Sequence, residues 1–157
     1  MSVNFGSIFH PMNPTMHILK LPAAALLMSA FASFAAAPQY LILDHSTAVL
    51  MDKPAALAIW KGQFDDKRMK RLVKLYPVGK FGFISQVEGG YTADKTCVVT
   101  ARAMMVPRSG ASLLFKPSES ATAFDAKPGA TLEQCKALAA DKLKEAVAAV
   151  GSSLVAR

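Results

Sequence analysis

The residues most able to do chemistry in this sequence are few and widely spaced. Asp44, His45 and Ser46 stand side by side and supply the residue types of a hydrolase triad. Neighbouring residues of an extended chain point to opposite faces, so these three cannot form the hydrogen-bonded relay of a triad by themselves. We therefore expect no catalytic residue, and a hydrolase that uses His45 is the last of three functional hypotheses.

The two cysteines, Cys97 and Cys135, predict a structural disulfide. An even pair in a small exported domain is most simply one bridge, and neither cysteine belongs to a Cys-x-x-Cys redox pair. Together with His45 they supply too few nitrogen and sulfur ligands for a structural zinc site, which takes four. The sequence predicts neither a metal site nor a cofactor.

Basic residues crowd into one short region between positions 61 and 80. Lys67, Lys70, Arg71 and Lys74 recur at steps of three and four residues and so share one face of a helix. Such a face can dock on an anionic surface. It can equally be the solvated outer face of a helix whose apolar side packs on the core. The basic residues of this region are Lys61, Lys67, Arg68, Lys70, Arg71, Lys74 and Lys80.

The pattern of apolar residues predicts the elements that position these groups. Residues 39–44 form a first strand, residues 47–51 a second extended piece, and Asp52 with Pro54 begins a short helix. The basic helix covers residues 64–76. Residues 81–106 read as a β-hairpin that turns at Gly89 and Gly90. Further strands are expected at residues 111–115 and 121–124.

The last helix has the clearest boundaries. Thr131 and Gln134 have the spacing of a capping box, and Gly151 is expected to end the helix. Its apolar seam places Cys135 on the buried side, so a bridge to Cys97 would clip the helix to the inner face of the sheet. Residues 36–157 are therefore expected to form a single α+β domain. We predict a small antiparallel sheet of three to five strands, with the C-terminal helix and the basic amphipathic helix packed on one face.

The beginning of the chain resembles an export signal. Lys20 supplies a positive charge, residues 21–34 an apolar stretch, and Ser33 and Ala35 the small residues that signal peptidase requires. Pro38 makes a later cut unfavourable, so we expect cleavage after Ala35. Residues 1–35 are then the signal peptide, with translation starting at Met1, Met12 or Met16. The alternative is an uncleaved anchor, because residues 18–37 are long enough to span a bilayer.

Export and charge together narrow the function. The chain carries a formal net charge of +7, which favours anionic partners, and it has no nucleic-acid-binding motif. We expect a periplasmic or secreted, non-enzymatic protein that binds an anionic envelope component or an exported protein and has no stable membrane span after processing. The second hypothesis is an inhibitor or immunity-type protein that inserts a stiff loop, residues 89–95, into an exported enzyme.

Overall fold

The computed structural model describes residues 39–64 and 66–156. These residues form a mixed β-sheet with helices packed on it. The predicted export signal, residues 1–35, and its cleavage site lie outside the described residues. The strands are β1 (Leu41–Asp44), β2 (Phe81–Tyr91), β3 (Thr96–Ser109), β4 (Ser112–Leu113) and β5 (Glu119–Pro128). The helices are α1 (Lys53–Gln63), α2 (Asp66–Leu75) and α3 (Leu132–Ala156). The predicted α+β class is confirmed.

The strands are joined mostly by antiparallel pairing, as short connections require. β2 and β3 form the predicted hairpin, and β4 and β5 pair antiparallel with the other side of β3. The expected turn at Gly89 and Gly90 is wrong, because both glycines pair with β3 inside β2 and the chain reverses at residues 92–95. β1 departs from the expected antiparallel arrangement because it pairs parallel with β2. The reason is that α1 and α2 lie between these two strands in the chain, so the chain returns to the same end of the sheet before β2 begins.

The inner face of the sheet carries the main core. Alternate residues of β3, from Cys97 through Val99 to Met105, are buried against α3, on the face that the sequence pattern assigned to the core. Trp60 of α1 is fully buried, and its ring centroid lies 4.7 Å from that of Phe83 on β2. This aromatic contact joins the first helix to the centre of the sheet.

A second, smaller cluster lies on the outer face of the sheet. Ile84, Met104 and Val106 are buried there beneath Leu113 of β4. The strand expected at residues 111–115 is reduced to the two residues of β4, because the chain here bends over the outer face. Near its C-terminal end β3 is thus buried on both faces. Towards its N-terminal end, the outer face is exposed to solvent.

The helix boundaries follow from local hydrogen bonds. The Asp52 carboxylate accepts from the backbone N–H of Ala55 at 2.7 Å, which caps α1 as predicted. Thr131 and Gln134 form the reciprocal capping box, with N···O distances of 3.0 and 3.3 Å. The expected end at Gly151 is wrong, and α3 continues to Ala156 because the residues beyond the glycine still pack on the core.

The segment expected to be extended at residues 47–51 is a turn. The backbone N–H groups of Leu50 and Met51 both donate to the carbonyl of Thr47, which reverses the chain before α1. Within the part of the chain that the structure describes, no helix is long and apolar enough to cross a membrane.

Candidate functional site

The basic stripe, defined here as Lys67, Lys70, Arg71 and Lys74, lies exposed along α2. The opposite stripe of the helix is its packing face, where Leu72 is fully buried. The stripe thus faces solvent because the apolar seam of the helix faces the core. The structure brings the four side chains onto one surface, as the spacing predicted.

The ion pairs of the described residues distinguish the basic stripe from α3. Among the ion pairs between described residues, none involves a residue of the stripe. On α3 the arrangement is different, because Lys136, Lys142 and Lys144 each pair with an acidic residue three positions away on the same helix. Seven of the 18 basic residues lie between positions 61 and 80, beside two acidic ones, whereas α3 presents a surface of mixed sign.

Two arginines near the basic stripe donate hydrogen bonds to backbone carbonyls. Arg68 donates through Nη1 to the carbonyl of Gln63 at 3.4 Å, across the junction between α1 and α2. Arg108 donates through Nη1 to the carbonyl of Val78 at 3.0 Å and through Nε to that of Gly110 at 2.6 Å. These contacts fix the segments on either side of α2, so neither arginine is counted in the stripe.

An aromatic hollow of about 530 Å³ lies between β1 and the two N-terminal helices. Its wall includes Trp60 and Phe83, and Lys61 stands at its rim beside the first residues of β1. The sequence did not predict it, since its walls come from four elements, β1, α1, α2 and β2, which only the fold brings together. The residues lining it are Gln39, Tyr40, Leu41, Ile42, Leu57, Trp60, Lys61, Phe64, Met69 and Phe83.

Tyr40 closes the inner end of this hollow. Its hydroxyl donates to the backbone carbonyl of Tyr76, and its ring stands edge-on to Phe83 with centroids 5.0 Å apart. Burial raises the pKa of Tyr40 to about 12, because the surrounding apolar groups disfavour the phenolate. The phenol therefore stays protonated at neutral pH and acts as a hydrogen-bond donor that ties β1 to the end of α2.

The corner around His45 does not form a triad. The Asp44 carboxylate accepts from the hydroxyls of Ser46 and Ser85, each at 2.7 Å, and the Ser46 oxygen accepts from the backbone N–H of Val87 at 2.9 Å. A triad needs the serine to donate to the imidazole, and here both hydroxyls donate to the carboxylate. The arrangement holds the end of β1 against β2.

His45 itself is exposed beside this network. With Asp44 and Lys53 it lines a shallow hollow of about 230 Å³. No hydrogen bond between described residues engages its imidazole, so the histidine and the carboxylate share a concave surface without a nucleophile between them. Within the described residues, no group of three or more His, Cys, Asp and Glu side chains is arranged to hold a metal ion.

The tip of the β2–β3 hairpin is stiffened by its own side chains. The Asp94 carboxylate accepts from the hydroxyls of Thr92 and Thr96, and these two hydrogen bonds lower the pKa of Asp94. Directly after the tip, Cys97 is joined to Cys135 in the predicted disulfide, with Cα atoms 5.8 Å apart. The loop proposed for insertion is thus exposed and internally ordered.

Comparison with known proteins identifies no family. No protein-family model matches the sequence, and no curated protein matches it. A PelC dodecamer from Paraburkholderia phytofirmans, crystallised in space group P6, has 14% identity and a TM-score of 0.36, over 75% of this chain and 88% of that chain. A single-substitution PelC dodecamer from the same organism, in space group C2, has 15% identity and a TM-score of 0.36, over 77% and 92%. A likeness this distant says nothing about the function or assembly of this chain.

Proposed function

We propose that this protein is an exported, non-enzymatic module that binds an anionic component of the cell envelope through the basic stripe of α2. The observation that carries the proposal is the exposure of four cations on one helical face, with no ion pair among the described residues to offset them. A surface of this kind attracts anionic lipid headgroups, with each lysine or arginine near the membrane contributing about 1 kcal/mol.

The aromatic hollow adds a second kind of contact beside this charge. Lys61 belongs both to the basic region and to the rim of the hollow, which places an apolar wall next to positive charge. A ligand that carries phosphate groups on an acyl or sugar body has the matching combination. Anionic lipid and lipopolysaccharide are the envelope components with this chemistry.

The test is binding to lipid vesicles. The protein should sediment with vesicles that contain anionic lipid or lipopolysaccharide and not with neutral vesicles. Binding should weaken as salt rises from low to physiological concentration, because exposed charges are screened over about 8–10 Å there. Replacing Lys67, Lys70, Arg71 and Lys74 with Gln should lower the affinity by at least about tenfold, since several contacts of about 1 kcal/mol are lost.

A control with the same change in charge separates a site from a general attraction. Lys53, Lys95, Arg102 and Lys116 are exposed and lie outside the basic region, so replacing these four with Gln removes as much charge from other surfaces. The proposal requires this control to bind anionic vesicles nearly as well as the parent protein. Equal losses in the two variants, or no binding by the parent, would contradict it.

An inhibitor of an exported enzyme is the second candidate, and the ordered hairpin tip favours it. A rigid exposed loop binds with little loss of conformational freedom, which is a common property of inhibitors. If this function is the right one, replacing Thr92 and Asp94 with Ala should release a captured exported protein and leave vesicle binding unchanged. The Gln variant of the basic stripe should instead keep the captured protein and lose vesicle binding.

A further inference from the structure

The outer edge of β5 is open. This strand runs for ten residues and pairs with β3 on one side, and no other described strand pairs with its second side. Most of its side chains are exposed, and the Phe124 ring is 78% exposed. Natural edge strands are usually kept short or carry proline, bulges or charges that oppose pairing. Residues 120–126 have no proline and no lysine, and their one charged residue, Asp125, pairs with Lys142 of α3 at 3.5 Å.

The direction of the backbone groups at this edge follows from the sheet register. The backbone N–H of Arg108 donates to the carbonyl of Lys80 at 2.7 Å, so even-numbered residues of β3 bond to β2. Odd-numbered residues of β3 therefore bond to the odd-numbered residues of β5. The even-numbered residues of β5 direct both backbone N–H and C=O outward, and these are Ser120, Thr122, Phe124 and Ala126.

A local contact agrees with this assignment. The N–H of Ala126 does not reach β3 and instead donates to the Asp125 carboxylate at 2.8 Å. A neighbouring carboxylate is what an outward N–H finds when no further strand is present. The free edge thus offers the alternating donors and acceptors that a new antiparallel strand would use.

We propose that the partner at this edge is β5 of a second copy of this chain, paired antiparallel about a two-fold axis at Ala123. In this register Glu119 of each copy lies opposite Lys127 of the other, so both ends of the joined strands bring together opposite charges. Thr122 lies opposite Phe124, and the two exposed phenyl rings become diagonal neighbours on the outer face. The interface is isologous, as a closed dimer requires.

The neighbouring registers are less favourable. A two-fold axis at Thr122 places Glu119 opposite Asp125, so like charges face each other at both ends. An axis at Phe124 places Pro128 opposite Ser120, where the partner strand needs a backbone N–H that proline lacks. Axes between residues pair an outward-directed position with an inward-directed one and leave the edge groups unbonded.

Sedimentation of the purified protein at physiological salt tests the pairing. We expect a monomer–dimer equilibrium that shifts to dimer as concentration rises. Thr122→Pro removes an N–H that β3 does not use, so the variant should keep its thermal unfolding midpoint near that of the parent. Because each dimer loses two backbone hydrogen bonds, its dissociation constant should rise by at least about tenfold. A parent that stays monomeric at every concentration, or a dimer that Thr122→Pro leaves unchanged, overturns the proposal.

Charge reversal tests the register without proline. Glu119→Lys alone places lysine opposite lysine, and Lys127→Glu alone places glutamate opposite glutamate, so each single variant should dimerise more weakly than the parent. The double variant restores both opposite-charge contacts and should recover the parent's dissociation constant. A mixture of the two single variants should form the mixed dimer in preference to either homodimer. Additive weakening in the double variant, or no preference in the mixture, contradicts the register.

Discussion

At Gly89 the backbone leaves no room for a side chain. Its φ of +151° is one that residues with a Cβ rarely adopt, and a Cβ built there would lie 2.1 Å from the carbonyl oxygen of Val98. A Cβ built on the next residue, Gly90, would have no atom within 4 Å. The sequence pattern predicted both glycines as turn residues, but both lie within β2, and only the contact with the paired strand shows that Gly89 requires a glycine.

Gly89→Ala should destabilise the hairpin, and Gly90→Ala should not. The unfavourable φ alone costs about 1–3 kcal/mol, and the contact with Val98 adds to it. A substitution in open space usually changes the free energy of unfolding by less than about 0.5 kcal/mol. Denaturant unfolding of the two variants measures the difference, and similar values for both would refute this account of the strand.

Because of the buried Tyr40, part of the protein's stability is lost at alkaline pH. Since burial raises the pKa of Tyr40 from 10.0 to about 12, folding favours the neutral phenol. This contribution is complete below pH 10, where the unfolded phenol is also neutral, and it is lost as pH rises towards 12.

The free energy of unfolding should therefore fall between pH 10 and 12 more steeply in the parent than in Tyr40→Phe. Ultraviolet absorption of the phenolate should show a late-titrating tyrosine that Tyr40→Phe removes. Tyr91→Phe is the matched control, because Tyr91 is 44% exposed. If the late phase persists in Tyr40→Phe, the burial of this phenol is not its cause.

At the scale of elements, the sequence predicted well whatever depends on local pattern. The alternation along β3 identified its inner face, and the spacing of Thr131 and Gln134 located the start of α3. Elements set by distant contacts were harder to predict. The parallel pairing of β1, the turn at Thr47 and the passage of α3 through Gly151 depend on which surfaces meet in the fold. The aromatic hollow was missed for the same reason.

The disulfide joins β3 to α3. Cys97 and Cys135 are separated by 38 positions, and in the chain-entropy model closing a loop of this length stabilises a domain by about 4 kcal/mol. Cys135→Ser should lower the free energy of unfolding by up to that amount, and reduction of the parent should have a comparable effect. Equal stability of oxidised and reduced protein, measured by denaturant unfolding, would count against this role.

At the scale of the whole molecule, positive charge and export belong to one hypothesis. The net charge of +7 and the basic stripe, which takes part in no ion pair among the described residues, favour an anionic surface outside the cytoplasm. The basic stripe could be placed on a helix from its spacing alone. Its ligand could not, because the same spacing is found in helices that only face water.

Export gives a prediction about the mature N-terminus. If signal peptidase cuts after Ala35, the intact mass of protein recovered from the envelope or medium should correspond to residues 36–157. Ala35→Leu should slow the cut, because the pocket for the last residue of the signal accepts only small side chains. A mature protein that retains residues 21–34 would instead support the anchor.

The bridge between Cys97 and Cys135 divides the chain into a covalently closed ring and an open part. β3, β4, β5 and the first turn of α3 lie in the ring, whereas β1, α1, α2 and β2 precede it in the chain. The basic stripe belongs to the open part. The apolar side of α2 holds this helix to the core, and no disulfide constrains it. Oxidation and reduction would thus act directly on the ring, which carries the free sheet edge. The cationic surface is separate from the thiols in the chain, so its chemistry need not follow the redox state of its surroundings.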